Sequence, residues 1–147
     1  MKITDLKPTI VWKFFHQVTQ VPRPSKKEGK MIEFLESFAK EYKIAIKKDE
    51  AGNLLMSKPA TPGMEDRPVV VLQSHMDMVC EKNNGTKHDF DNDPIETIVD
   101  GEWLRANGTT LGADNGIGVA AELALLASDD IQHGPIECLF TDRKSVV

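Results

Sequence analysis

Cysteine is scarce in this chain, with only Cys80 and Cys138 among 147 residues. Small secreted domains that depend on disulfides carry more, and thiolate zinc sites need several closely spaced cysteines. We therefore expect two reduced thiols that serve packing, and we do not expect Cys80 to act as a nucleophile.

Positive charge and long hydrophobic runs are also lacking. Lysine and arginine total 18 against 23 acidic residues, for a net charge of -5, which disfavours nucleic acid or an anionic membrane as the main partner. No run approaches the roughly 18 apolar residues of a transmembrane helix. The N-terminal segment is interrupted by Asp5 and Lys7 and does not resemble a signal peptide. These features predict a cytoplasmic protein that binds neither membrane nor nucleic acid.

Neither repeats nor low-complexity segments are present, and 40% hydrophobic with 28% charged residues is typical of a globular domain. A first helix is predicted from Pro8 to the Pro22–Pro24 segment, with apolar residues at helical spacing. A second is predicted from Ser25, with Glu28 completing a capping box.

The remaining pattern alternates strands with helices. Residues 69–72 form a continuous apolar run, which is typical of a strand covered on both faces. Strands are also predicted at 44–48 and 54–57, which could pair as a hairpin, at 98–99 and 103–104, as a small hairpin with an Asp-Gly turn, and at 136–141. A buried helix is predicted at 119–127. This order predicts an α/β fold in which helices sandwich a mixed sheet.

The most informative polar residues directly follow the 69–72 run. His75 and Asp77 are two residues apart on an extended segment, so their side chains should point to the same side. Ligand sites in α/β sheets gather beyond the carboxyl ends of strands. A metal-binding histidine commonly has a carboxylate on its second ring nitrogen. The triplet alone is also compatible with surface polar residues.

A second candidate is Asp114, in the glycine-rich segment Leu111–Gly118 that leads into the buried helix. A carboxylate at this position could bridge two metal ions, and it could equally serve as an ordinary helix N-cap.

Several spaced motifs together resemble the aminoacyl-histidine (Xaa-His, or cytosol nonspecific) dipeptidases, within the co-catalytic zinc peptidases. They are LQSHMDMVCEKN, GTTLGADNGIGVAAELALL and HGPIECLFT, preceded by VTQVPRPSKKEGKMIEFL and DEAGNLLM. The resemblance covers roughly residues 5–141 and implies the N-terminal portion of a metallopeptidase catalytic domain over residues 1–141.

The resemblance implies that His75 and Asp114 are metal ligands, Asp114 bridging two ions, and that Asp77 is the catalytic-site residue orienting His75. It further implies two divalent ions, zinc with cobalt or manganese as alternatives, that activate a water. The substrate would be a small Xaa-His dipeptide, and the full-length family protein would be a homodimer.

The sequence departs from the family after Thr141. There the family has two adjacent glutamates, one the general base and one a metal ligand, whereas this chain has Asp142 followed by Arg143-Lys144-Ser145-Val146-Val147. We interpret residues 142–147 as an atypical tail of a truncated chain, with Asp142 a poor substitute base. The chain by itself is therefore expected to be inactive.

Two other functions remain open. A related metallohydrolase (an aminoacylase, deacylase or carboxypeptidase) would share His75, Asp77 and Asp114, and a non-catalytic binding module could keep the fold without the chemistry.

Two motif matches are set aside. The Gly116–Ala121 segment fits a dinucleotide fingerprint but lacks a preceding strand, and the Asp89–Asp100 segment lacks the glycine and glutamate of a calcium loop.

Overall fold

Every predicted helix and strand forms in the computed structural model of the chain, which describes residues 1–142. In chain order the elements are α1 (Thr9–Thr19), α2 (Gly29–Glu41), β1 (Ala45–Lys48), β2 (Leu54–Lys58), β3 (Val70–His75), β4 (Thr97–Asp100), β5 (Trp103–Ala106), α3 (Ala113–Ala127) and β6 (Ile136–Thr141). Within the described range, no helix is both long and apolar enough to cross a membrane.

Four strands form a mixed sheet in the order β1-β2-β6-β3. β1 and β2 are the predicted hairpin, β2 pairs antiparallel with β6, and β6 pairs parallel with β3. The predicted α/β fold with a mixed sheet is confirmed. The 98–104 pattern also forms a hairpin, β4-β5, as a separate two-stranded sheet in which Gly101 adopts a φ of +60° at the turn.

The core lies between the three helices and one face of the sheet. α1 and α3 pack directly on each other, and α3 packs on β3. The larger buried apolar side chains from the helices and the sheet are Phe14, Phe15, Val18, Met31, Leu35, Phe38, Val119, Leu123, Leu126, Leu54, Met56, Ile136, Cys138 and Phe140. Burial of this apolar area is the main favourable contribution to folding.

β3 differs from the sequence prediction of a strand covered on both faces. It is an edge strand in the described part of the chain, and Val69, Val70 and Val71 are 52%, 52% and 58% exposed. Apolar runs predict strands well, but they do not show which neighbours cover them. Only the carboxyl end of the strand, at Ser74 and His75, is buried.

A buried carboxyl group lies between α3 and the sheet. Glu122 is 3% exposed, and its Oε2 atom has no hydrogen-bond partner among the described residues. Burial raises the pKa of Glu122 to about 7, and the nearby Ser74 hydroxyl partly offsets this rise. Burial, with Glu122 as a second cause, raises the pKa of the Cys138 thiol to about 12. The Glu122 carboxyl group and the Cys138 thiol are therefore both neutral at mildly acidic pH.

We expect Glu122 to make the stability of the chain depend on pH. Its pKa rises from 4.5 to about 7 on folding, so its contribution is fully present below pH 4.5 and is lost as pH rises through about 7. Each pKa unit corresponds to about 1.4 kcal/mol, which predicts a loss of roughly 2–3 kcal/mol between these limits. Glu122→Gln should abolish this part of the pH dependence in urea unfolding measured from pH 4 to 8. The exposed control Glu102→Gln should retain it, and equal slopes in both variants would contradict the assignment.

The exposed edge of β3 should promote self-association. Unpaired backbone groups beside an apolar run favour pairing with another strand, and lysine at such an edge opposes it. Sedimentation velocity should show concentration-dependent association that Val71→Lys reduces. Val79→Lys, at a residue that is 59% exposed but outside the strand, is the matched control. A wild-type chain that stays monomeric at all concentrations would contradict the prediction.

Candidate metal centre

His75 and Asp77 meet at the carboxyl end of β3. His75 pairs with Thr141 of the parallel strand β6, and the Met76 amide donates to the Thr141 carbonyl at 2.8 Å. The Nδ1 atom of His75 lies 3.0 Å from Asp77 Oδ1 and 3.1 Å from the Asp77 carbonyl oxygen. His75 is 8% and Asp77 3% exposed, so this contact is largely shielded from solvent.

Asp114 approaches the same histidine from the start of α3. Its Oδ1 atom lies 2.9 Å from His75 Nε2, and its side chain is 67% exposed. Asp114 and Asn115 both have non-helical backbone angles, so the angles leave the N-cap position open to either residue. Asn115 has the hydrogen bond of an N-cap, since its Oδ1 accepts from the Gly118 amide at 3.1 Å.

The guanidinium of Arg23 joins these two segments. Nη1 donates to the carbonyls of Met76 and Asp77, each at 3.0 Å, and Nη2 donates to the Gly112 carbonyl at 2.6 Å. Arg23 is 1% exposed. Burial lowers the pKa of its guanidinium to about 10, and the Asp77 carboxylate opposes this fall. Arg23 thus ties the end of β3 to the loop that carries Asp114.

Two glycines allow the guanidinium to come this close. A Cβ atom on Gly112 or Gly116 would lie 2.6 or 2.7 Å from Arg23 Nη2, so any side chain there would displace the guanidinium. Gly112 also has a φ of +72°, in the left-handed region. The glycines in the segment before α3 therefore provide both a tight turn and space for Arg23.

Ser25 takes a role that differs from the predicted helix cap. α2 begins at Gly29 with Glu28 as N-cap and no side-chain cap bond, so the predicted capping box is wrong. The Ser25 hydroxyl donates to Asp77 Oδ2, while Glu28 Oε1 accepts a hydrogen bond from the Lys26 amide. Local sequence favoured a cap because it cannot show that Asp77, 52 residues away, competes for the same hydroxyl.

The arrangement around His75 suits a cation at Nε2. A neutral imidazole donates from one nitrogen only, and the two buried oxygen atoms of Asp77 favour the proton on Nδ1. Nε2 then presents a lone pair to the exposed carboxylate of Asp114, and two facing acceptors need a cation or a proton between them. A separation of 2.9 Å lets both atoms contact one ion at the usual zinc distances of about 2.0–2.2 Å. His75 and Asp114 therefore fit part of a metal shell.

The described residues do not supply a whole shell. Residues 1–142 contain no group of three or more histidine, cysteine or acidic side chains arranged to hold a metal, whereas catalytic zinc usually has three protein ligands.

Two other predicted features lie near the site. Burial raises the pKa of the Cys80 thiol and opposes thiolate formation, in line with the expectation that it is not a nucleophile. Asp142 begins the predicted tail, and its amide donates to Asn53 Oδ1 at 2.9 Å. Residues 143–147 lie outside the described residues.

Arg23 and Ser25 were not recognised from the sequence as site residues. They flank Pro24, where the sequence predicts the end of the first helix at Pro22–Pro24 and the start of the second helix at Ser25. The only sequence feature that marks Arg23 is its position between Pro22 and Pro24. Prolines on both sides hold the backbone in a turn, where a charged side chain can be buried by contacts that are distant in sequence.

Comparison with known proteins gives two strong similarities. The chain is 49% identical over 140 residues to the cytosol non-specific dipeptidase of Escherichia coli K12, covering 95% of this chain and 29% of that protein. It matches the crystal structure of aminoacylhistidine dipeptidase from Vibrio alginolyticus with a TM-score of 0.96 and 49% identity, covering 99% of this chain and 30% of that one. The chain thus spans less than a third of the length of either relative.

A more distant structure shares the fold alone. It is a dinuclear metal-binding peptidase of the M20 family from Bacillus subtilis, with 15% identity and a TM-score of 0.52, covering 88% of this chain and 34% of that one. No protein-family model matches the chain. The resemblance to aminoacyl-histidine dipeptidases is confirmed.

Replacing Arg23 should loosen the junction between β3 and α3. Lysine keeps the charge but cannot place separate donors on the Gly112 carbonyl and on the Met76 and Asp77 carbonyls at once. We expect Arg23→Lys to lower the free energy of unfolding by about 2–4 kcal/mol, measured by urea unfolding. Arg105→Lys is the matched control, since Arg105 is 56% exposed, and it should change stability by less than about 0.5 kcal/mol. Equal effects of the two substitutions would refute the role of Arg23.

Proposed function

We propose that this chain carries the first metal-ligand segment of a metal-dependent dipeptidase that cleaves Xaa-His dipeptides. His75 and Asp114 are the proposed metal ligands, with Asp114 bridging two divalent ions, and Asp77 orients His75. The observation that carries the proposal is the position of the His75 ring, with Nδ1 3.0 Å from Asp77 and Nε2 2.9 Å from Asp114. The names of the relatives, both dipeptidases, supply the reaction class.

Each residue has a distinct task in this proposal. Asp77 accepts a hydrogen bond from Nδ1–H of His75, which fixes the ring and increases the electron density that Nε2 offers to a cation. The Asp114 carboxylate is 67% exposed and is therefore open to the solvent from which a substrate would arrive. Bound divalent ions, zinc or alternatively cobalt or manganese, would polarise the scissile carbonyl and activate a water.

The chain by itself is proposed to be inactive. Two protein donors are fewer than a catalytic zinc site needs, so metal affinity should be weak. The general base that the family resemblance implies would also have to come from residues other than His75, Asp77 and Asp114. A cytosolic location, suggested by the name of the E. coli relative, and a homodimeric full-length protein are part of the same proposal.

The decisive experiment measures dipeptidase activity against an Xaa-His dipeptide with added zinc, manganese or cobalt. Two proteins are compared: the 147-residue chain, and residues 1–141 joined to the remaining length of the E. coli relative. We expect no turnover by the short chain and turnover by the joined protein. His75→Ala in the joined protein should reduce kcat/KM by at least about 100-fold, because both a ligand and its orientation are lost.

The same assay separates the alternatives. Preference of the joined protein for acyl-amino acids over Xaa-His dipeptides would favour an aminoacylase or deacylase, and release of C-terminal residues from longer peptides would favour a carboxypeptidase. Turnover by the short chain would show that the account of missing ligands and base is wrong. An inactive joined protein that folds and binds zinc would favour the non-catalytic module.

A further inference from the structure

The segment that follows α1 runs beside the candidate metal centre. The Met78 amide donates to the Arg23 carbonyl at 3.0 Å, and Pro24 and Met78 form a parallel bridge. Together with the bonds from Arg23 Nη1 to the carbonyls of Met76 and Asp77, these contacts fix the backbone of Ser25 next to Asp77. The position of the serine hydroxyl is therefore set by the fold and not by the side chain alone.

The Ser25 hydroxyl and the His75 ring contact opposite oxygen atoms of one carboxylate. Ser25 Oγ donates to Asp77 Oδ2, while Oδ1 lies 3.0 Å from His75 Nδ1. Asp77 is 3% exposed, so bulk water competes poorly for either contact. Rotating the carboxylate about its terminal torsion would break both bonds, and this torsion is otherwise soft.

A helix-capping role for Ser25 does not account for these contacts. α2 starts four residues later, and no side-chain cap bond is present at its N-cap. The second acceptor near the hydroxyl, the Met78 carbonyl oxygen at 3.4 Å, also belongs to the segment that carries Asp77. Both hydrogen-bond contacts of the hydroxyl are therefore directed at the candidate metal centre.

We propose that Ser25 is a positioning residue of the metal centre: its hydroxyl fixes the plane of the Asp77 carboxylate, which holds the His75 proton on Nδ1 and directs the Nε2 lone pair towards Asp114. Ser25 thus adds one more hydrogen bond to the pair that Asp77 forms with His75. The proposal rests on the proposed function for its metal, but the tautomer and orientation of the ring can be tested without one.

The experiment compares wild-type chain with Ser25→Ala, Ser25→Thr and the exposed helical control Ser37→Ala. Long-range nitrogen–proton NMR correlations of the metal-free chain report which nitrogen of His75 carries the proton, at a pH where histidine rings are neutral. The Asp114 side chain is 67% exposed and can turn into solvent when no cation is present, so we expect a single Nδ1–H tautomer in wild type, Ser25→Thr and Ser37→Ala. Ser25→Ala should show a mixture of tautomers, because one donor to Asp77 is lost.

Zinc affinity by calorimetry provides the second measurement. Loss of a partner that contacts a ligating histidine costs about 10–100-fold in affinity, and Ser25 acts one layer further out, so we expect Ser25→Ala to weaken zinc binding by about 3- to 10-fold. Ser25→Thr should restore affinity to within about twofold of wild type. If Ser25 served only the stability of the fold, Ser25→Ala would not change the His75 tautomer, and Ser25→Thr would not restore both the tautomer and the zinc affinity.

Two outcomes would overturn the assignment of Ser25. One is an unchanged His75 tautomer in Ser25→Ala, and the other is an equal change in Ser25→Thr, which would show that the hydroxyl is not the cause. Absence of zinc binding by the wild-type chain would instead count against the proposed metal site, while the tautomer measurement would still decide the role of Ser25.

Discussion

The buried guanidinium of Arg23 is the contact on which the candidate site depends. Burying a charge is expensive unless its donors are satisfied, and here three backbone carbonyls from two distant segments accept its hydrogen bonds. The fall of its pKa to about 10 reflects the cost of desolvation, and the nearby Asp77 carboxylate reduces that cost. Thr110 joins the same two segments further from the histidine, since its Oγ1 donates to the Val79 carbonyl at 2.7 Å and its amide donates to the Glu81 carbonyl at 2.8 Å.

Sheet topology determines where the other groups come together. β3 and β6 run parallel, with His75 beside Thr141, so the residues that follow each strand emerge at the same edge of the sheet. Asp142, which follows Thr141, therefore leaves the sheet at the edge where His75 lies. This is the place where the family resemblance implies a pair of glutamates, and where this sequence continues with Asp142 and Arg143.

Periodicity and turn residues predicted the helices, strands and hairpins, because those signals are local. The same reasoning selected His75, Asp77 and Asp114, which the structure brings together around one imidazole ring. Local signals failed where a partner lies far away in sequence. Ser25 was interpreted as a cap and Arg23 as part of a helix end, since contacts across 52 to 89 residues leave no periodic pattern. The exposure of Val71 was missed for a related reason: an apolar run does not reveal whether another element covers it.

In the proposed metal site, these contacts around His75 determine what limits metal binding. His75 is held by a buried carboxylate that Ser25 contacts, and the backbone on either side of the site is fixed by Arg23, so the histidine needs little reorganisation to accept a cation. Asp114 is more exposed and sits on a turn that glycine permits. The orientation of the ring is therefore already provided by the described residues, and the number of ligands is the quantity in deficit. Additional donors placed beside Thr141 would complete a site whose histidine is already oriented, so their main effect should be on affinity and catalysis and not on the fold of this segment.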